Sequence, residues 1–247
     1  MPNDAYLDSS VRWKIKTGQA LLKEPRYREV AAAIEDSGIA TEVLRTIGSG
    51  KEADVYLARD DASLIAIKVY RTYRTANRVG REMKLDSIGH LASWEYDLLV
   101  YAYRDGARVP RPIRREEHMF SMQYLGTREA PAPRLRDAVD EPMEPLARKT
   151  LAAVEHLVGS GVVHTDLSPY NILVDRGEPW IIDVGKCLRV DRLGSPPWET
   201  LHKARTAIEA GARNLARFFG SHGVAIDPEE TAQRFFRQIE RYELLTE

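Results

Sequence analysis

Val163-His-Thr-Asp166-Leu-Ser-Pro-Tyr-Asn171-Ile-Leu-Val174, followed at a short distance by Trp180-Ile-Ile-Asp183-Val184, is the stretch from which the rest of the chain is read. A polar run holding Asp166 and Asn171 lies between apolar pieces, and the second apolar run delivers another carboxylate, Asp183. Short Ile- and Val-rich runs bounded by Pro, Gly and Asp read as strands joined by loops. One Asp beside a proline is an ordinary turn residue. Three oxygen-bearing side chains at loop positions between strand-like runs form a pattern that turn chemistry alone does not account for.

The spacing has a chemical reading. Phosphoryl transfer from ATP needs one carboxylate to receive or orient the nucleophile's proton, and separate hard oxygen ligands for magnesium. Asp166, Asn171 and Asp183 fit those tasks in the order used by protein kinases, where Asn follows Asp by five residues. Asp166 is then the expected base, and Asn171 and Asp183 the expected metal ligands.

Composition narrows the class. At 247 residues with 43% hydrophobic content, the chain can form one large domain or two lobes with a real core. Its 36 basic and 37 acidic residues nearly cancel, so no global field points to nucleic acid or an anionic membrane. Cys187 is the only cysteine, which excludes an intramolecular disulfide and a cysteine-rich zinc site. The opening Met-Pro-Asn-Asp-Ala-Tyr lacks a basic start and an apolar core, and no run approaches the roughly 20 apolar residues of a membrane span. The expectation is a cytoplasmic protein with no membrane association and no DNA-reading module.

Toward the N-terminus, residues 1–25 read as a polar arm. Tyr27 to about Ser37 reads as a short amphipathic helix with Val30, Ala31 and Ile34 inward and Gly38 at C′. Glu42 to Ala58 reads as two strands around Gly48-Ser-Gly50-Lys51, a turn whose backbone N–H groups can approach phosphates or can simply close a hairpin. It is not a Walker loop, because Glu52 and a strand follow the lysine. In Leu64-Ile-Ala-Ile-Lys68-Val-Tyr a lysine sits within an apolar strand and calls for an anion or for a solvent edge. The helix expected over 88–103 offers that anion: Leu91, Leu98, Leu99 and Ala102 define its inward stripe, and Glu95 lies on the same face. The basic segment 71–90 between them reads as a solvated linker or a partner-binding loop. His118 to Leu125 reads as a strand running into Gly126, with the Gln123 carbonyl and Leu125 N–H as an edge for adenine.

Toward the C-terminus, Pro145 is expected at N1 of a helix whose face carries Leu146, Leu151, Val154, Leu157 and Val158. His156 reads as a surface residue and His164 as a side chain that orders its loop. Two further helices are expected, one with Ile208, Ala212, Leu215 and Phe219 inward, the other capped by Asp227 with Pro228 at N1 and Phe235, Phe236 and Ile239 inward. No Ala-Pro-Glu follows Asp183, so the acceptor-docking surface is not specified.

Taken together these stretches resemble the RIO family of atypical protein kinases. Gly48-Ser-Gly-Lys-Glu-Ala-Asp-Val-Tyr is similar to that family's Ser-Thr-Gly-Lys-Glu-Ala-Asn-Val-Tyr, and Ala66-Ile-Lys-Val-Tyr-Arg, Val163-His-Thr-Asp-Leu-Ser-Pro-Tyr-Asn and Ile181-Ile-Asp-Val follow in the family's order over about residues 27–220. The resemblance implies a two-lobed α+β kinase-like fold: an N-terminal arm and short helix in 1–40, an N-lobe of antiparallel sheet plus one helix in 41–125, and a mainly helical C-lobe in 126–247. ATP would lie between the lobes. It implies a catalytic Asp166 served by Lys68 and Asp183, with magnesium, or manganese in its place, on Asn171 and Asp183. It also implies a nucleotide bordered by Ser49, Gly50, Lys51, Val55, Lys68, Glu95, Met122, Gln123, Leu125 and Leu173. Serine/threonine kinase activity, autophosphorylation, ATPase cycling through a phosphorylated metal-binding Asp, and a ribosomal small-subunit precursor as partner are the further implications. Asp54 replaces the family's Asn, Gln123 stands where Glu is common, and 71–90 departs from the pattern; 40 residues leave no room for an N-terminal winged helix, which points to the branch without one.

Two other readings stand beside it. A small-molecule phosphotransferase of the aminoglycoside or choline kinase type shares the His-x-Asp…Asn logic, but expects more chain after Asp183. An ATP-gated ribosome-assembly protein would bind RNA through 71–90, with affinity that falls with salt.

Overall fold

The computed structural model describes residues 13, 17, 20–21, 26–50, 52–70, 74–76, 82–84, 87–190 and 197–240. The chain divides into two compact units, Met1–Tyr96 with Pro112–Tyr124, and Asp97–Arg111 with Leu125–Glu247. The combination is α+β, as expected.

In the first unit, β1 (Ala20–Leu21) precedes α1 (Tyr27–Asp36), which ends at Ser37 with Gly38 at φ +71°, a conformation open to glycine. Then come β2 (Glu42–Ser49), β3 (Ala53–Asp60), β4 (Ser63–Tyr70), β5 (Arg74–Ala76) and β6 (Glu82–Lys84). Helix α2 (Ser87–Arg104) runs from the first unit into the second, and β7 (Pro112–Glu116) and β8 (Met119–Gln123) return to the first. Strands β2-β3-β4-β8-β7 form a five-stranded antiparallel sheet. Strand β4 lies at its centre, which is why its sequence is nearly all apolar. Val30 and Ile34 of α1 pack with Val43, Tyr56, Ile65, Ile67, Val69 and Met119 into one core.

Two expectations for this half are corrected. The 71–90 segment is not simply a linker, since β5 and β6 pair antiparallel with each other and β5 with β1; its remaining residues up to 86 lie outside the described ones. Leu91 does not belong to the buried stripe of α2 but is 46% exposed, while Ala92, Glu95, Leu98, Leu99 and Ala102 are buried. The stripe runs through Ala92, one residue and about 100° around the helix from Leu91.

In the second unit, α3 (Met143–Gly159) leads to β9 (Val162–Val163), β10 (Ile172–Asp175), β11 (Glu178–Ile181), β12 (Leu188–Arg189), α4 (Pro197–Ser221) and α5 (Pro228–Arg237). β10–β11 is a hairpin, and β9 pairs antiparallel with β12. Met143, not Pro145, is N1 of α3, and Pro142 is its N-cap; Pro145 at N3 is tolerated because that N–H has no intrahelical acceptor. Leu151 is half-buried, and the α3 face consists instead of Leu146, Ala147, Thr150, Ala153, Val154, Leu157 and Val158. Asp227 caps α5 through its Oδ1, which accepts the N–H groups of Glu229 and Glu230 at 2.8 and 3.0 Å. Ile208, Ala212, Leu215, Phe219, Phe235 and Ile239 are buried as expected, but Phe236 is only half-buried and lies under the Arg205 guanidinium, 4.3 Å from its ring centroid. No helix among the described residues is long and apolar enough to cross a membrane.

Candidate active site

The first unit places a buried charge cluster on β4. Lys68 stands opposite Val55 of β3 and Phe120 of β8, so its stem is enclosed by sheet neighbours. Its Nζ lies 2.7 Å from Glu95 Oε1, with side chains 12% and 3% exposed. The other carboxylate oxygen, Glu95 Oε2, accepts the hydroxyl of Tyr70, and the Lys68 ammonium lies 5.5 Å from the Tyr70 ring centroid. Lys68 and Tyr70 are two residues apart on one strand and share a face. A buried carboxylate is tolerable only when its charge is paired and both oxygens are hydrogen-bonded. Tyr70 supplies the second partner. The sequence signal for this role is an aromatic hydroxyl two residues beyond a lysine in an apolar strand.

At the β2–β3 turn, Ser49 Oγ donates to Asp54 Oδ1 at 2.6 Å and the Gly50 N–H to the Ala53 carbonyl at 2.9 Å. A Cβ on Gly50 would stand 3.0 Å from that carbonyl oxygen, so the turn closes more tightly than most side chains allow. Lys51 lies outside the described residues. Val55 is half-buried opposite Gly48, Met122 half-buried opposite Ala66, and Gln123 opposite Ile65.

The second unit assembles the oxygen-bearing groups. His164, 4% exposed, accepts the Asp166 N–H at Nδ1 (3.2 Å), and its Nε2 lies 3.1 Å from the Ile182 carbonyl. An amide can only donate and a carbonyl only accept, so the ring is held as the neutral Nε2–H form. His164 therefore ties the loop of Asp166 to the residue before Asp183. Asn171 makes a second tie. Its Nδ2 donates to the Asp166 carbonyl at 2.8 Å, and its own carbonyl accepts the Ile182 N–H at 3.0 Å. The register Ile172↔Ile181 continues to this pair, which puts Asn171 and Asp183 at the same end of the hairpin. With Nδ2 committed to Asp166, the Oδ1 of Asn171 is the amide's acceptor.

Asp166 and Asp183 are both exposed, and Asp183 adopts φ +62°, ψ +51°, a left-handed conformation unusual for a residue other than glycine. Leu167 is held on the other side: its carbonyl accepts Asn214 Nδ2 at 2.9 Å, and its side chain presses on Gly211 of α4, where an added Cβ would lie 2.9 Å from Leu167 Cδ2. The Pro169 carbonyl accepts the Arg136 N–H at 3.2 Å. Leu173, half-buried, faces Trp180 across the hairpin and bridges to Arg134. Leu125 is buried, and its carbonyl accepts the Ala132 N–H at 3.0 Å.

Residues 54–231 match the family model described as RIO domain. The chain belongs to the RIO domain family. It is an enzyme of the RIO-type serine/threonine-protein kinase class. Among its relatives, the RIO-type serine/threonine-protein kinase Rio1 of Haloferax volcanii is 28% identical over 229 residues, covering 87% of this chain and 75% of that protein. The serine/threonine-protein kinase RIO1 of Caenorhabditis elegans is 27% identical over 87% of this chain, which spans only 44% of that longer protein. A solved structure with the same fold is the Rio2 kinase–ADP/Mg2+–phosphoaspartate complex from Chaetomium thermophilum, at a TM-score of 0.59 and 19% identity over 94% of this chain and 78% of that one. This RIO domain thus has a kinase-like fold.

Proposed function

We propose that this RIO domain transfers the γ-phosphoryl group of ATP to a serine or threonine hydroxyl of a protein, its own chain included. The observation that carries the reading is the exposed Asp166 carboxylate on a loop whose backbone is fixed on both sides by His164 and Asn171. Asp166 receives the acceptor proton as the hydroxyl oxygen bonds to the γ-phosphorus and the bond to the leaving ADP oxygen breaks. Lys68, held by Glu95, offsets charge on the α- and β-phosphates. In the first unit, backbone groups around Ser49 and Gly50 would border the phosphates, Val55 and Met122 would meet the base, and the Gln123 main chain would offer it a hydrogen-bonding edge; in the second, Leu125 and Leu173 are the proposed nucleotide contacts.

The donor set suits a hard cation: an amide oxygen whose nitrogen is already committed, next to an exposed carboxylate. Asn171 and Asp183 would hold magnesium, or manganese in its place, and the ion would neutralise charge on the transferring phosphate.

A second reading, ATP hydrolysis through a phosphorylated Asp183, is favoured by the exposure of that carboxylate and by the phosphoaspartate named for the Chaetomium Rio2 complex. One experiment tests both. Labelled ATP is supplied with magnesium, and free phosphate and protein-bound label are followed for wild type, Asp166→Asn and Asp183→Ala. Acid-stable label on Ser or Thr that disappears in both variants supports the kinase. Hydroxylamine-labile label with steady phosphate release supports the hydrolytic cycle, and absence of turnover with candidate acceptors present refutes both.

A further inference from the structure

The hydrogen bonds described so far hold the chain before Asp183 through Ile182. After Asp183 come the 3₁₀ turn Val184–Lys186, closed by the Cys187 N–H donating to the Val184 carbonyl at 2.9 Å, and then β12. The β9–β12 register pairs Val163 with Leu188 and Val162 with Arg189, and the Val190 N–H donates to the Gly161 carbonyl at 2.9 Å. Continued two residues, that register sets Thr165 opposite Lys186. The backbone ladder has ended by then, because the chain turns away into the loop of Asp166. At this position the Thr165 hydroxyl donates to the Lys186 carbonyl at 2.8 Å. A side chain thus supplies the rung that the backbone no longer provides.

We infer that Thr165 is a positioning residue for Asp183: its hydroxyl latches the far end of the turn, so that Asp183 is clamped between Ile182 and Lys186 in its left-handed conformation, with its carboxylate set for the metal-bound nucleotide. The inference rests on the proposed function for the identity of that ligand, but the latch itself does not. A left-handed non-glycine residue is intrinsically disfavoured and persists only where its surroundings over-determine it. Two bonds to Ile182 fix one side, and the Thr165 bond fixes the other. Without the hydroxyl, the turn keeps its Cys187 bond and the β12 rungs but loses its tie to the loop of Asp166, which loosens the hold on the conformation that presents the Asp183 carboxylate.

Thr165→Val keeps the branched shape and removes the donor, and Thr165→Ser keeps the donor. The first measurement is hydrogen–deuterium exchange in the nucleotide-free, metal-free protein. Thr165→Val is expected to raise exchange at residues 184–187 about 2- to 10-fold, the range of one net hydrogen bond, with α3 and the β2–β4 strands unchanged; Thr165→Ser restores wild-type exchange. The second is the magnesium concentration for half-maximal phosphate transfer, expected to rise by a similar factor in Thr165→Val and to return in Thr165→Ser, with kcat at saturating magnesium little altered. Wild-type exchange in Thr165→Val, faster exchange with unchanged magnesium dependence, or a fall in kcat alone would each overturn the inference. If the wild type transfers no phosphate, the proposed function fails, while the exchange measurement still decides whether the latch exists.

Discussion

Lys68 and Glu95 are withdrawn from water and satisfied by each other and by Tyr70, whereas Asp166 and Asp183 stand exposed and are positioned through bonds to the backbone around them. The two regions solve different problems. A buried ammonium and carboxylate each carry a desolvation cost that only a well-placed partner offsets, so the cluster on β4 is one of mutual dependence. An exposed carboxylate keeps access to solvent, so its desolvation cost is small and its direction is what the surrounding bonds must set. In the second unit the hydrogen bonds therefore go to the groups that aim it: the His164 ring, the Asn171 amide and the Asn214 amide. Substitutions in the first cluster should register as stability, and those in the second as turnover.

The largest expected effect is catalytic. Asp166→Asn should lower single-turnover phosphate transfer by about 10²- to 10⁴-fold, the range for a positioned general base, with unfolding free energy within about 0.5 kcal/mol of wild type. Label incorporation beside a thermal melt checks this, and a large melt shift would break the contrast. Next is Glu95→Gln, which leaves the Lys68 cation without its counter-charge; urea unfolding should show a loss of about 3 kcal/mol. Unchanged unfolding would mean that Lys68 reaches solvent. Tyr70→Phe removes the donor to Glu95 Oε2 and should lower stability by about 1–2 kcal/mol. A double-mutant cycle with Glu95→Gln should show that the two losses do not add.

The smallest effect belongs to the half-exposed trio Lys149, Glu178 and Arg108. The hydrogen bond from Lys149 is the main reason that the Glu178 carboxyl lies below its ordinary 4.5; burial opposes the shift, and the charges of Arg108 and Lys149 add to it. A depressed folded-state value means that the stabilisation is present above 4.5 and is lost as pH falls through the folded value. Solvent screening keeps such a pair small, so Lys149→Ala should cost at most about 1 kcal/mol at pH 7. The difference should fade in denaturant melts as pH falls below 4.5 and through the lowered folded value.

What could be read from residues alone follows the same division. Asp166, Asn171 and Asp183 lie within eighteen residues of one another, and the strands that carry them are short, so local pattern sufficed to group them. Lys68 in an apolar run calls for an anion or a solvent edge, and Glu95 on the inward face of its helix offers the anion that the structure pairs with it. The task of Tyr70 is not legible in the pattern, because which hydroxyl meets the second carboxylate oxygen depends on the path of a strand relative to a helix. The separation of seven between Leu91 and Leu98 suits a helical stripe and points Leu91 inward on pattern alone; the structure buries Ala92 instead, a residue too small to weigh in an apolar count. Strands β5 and β6 carry charged sequence and are paired through backbone, a feature that hydrophobic periodicity does not register.

Gly211 in the middle of α4 is where a protein engineer seeking greater heat tolerance would begin, since alanine is the better helix former there by about 1 kcal/mol. The added methyl would meet Leu167 at Cδ2 and Cβ, 2.9 and 3.0 Å away, at a point where the same residue's carbonyl is pinned to Asn214 three positions along the helix. A change that strengthens the helix in isolation would press on the loop carrying Asp166, and the overpacking would offset the helical gain while shifting the loop that carries the site.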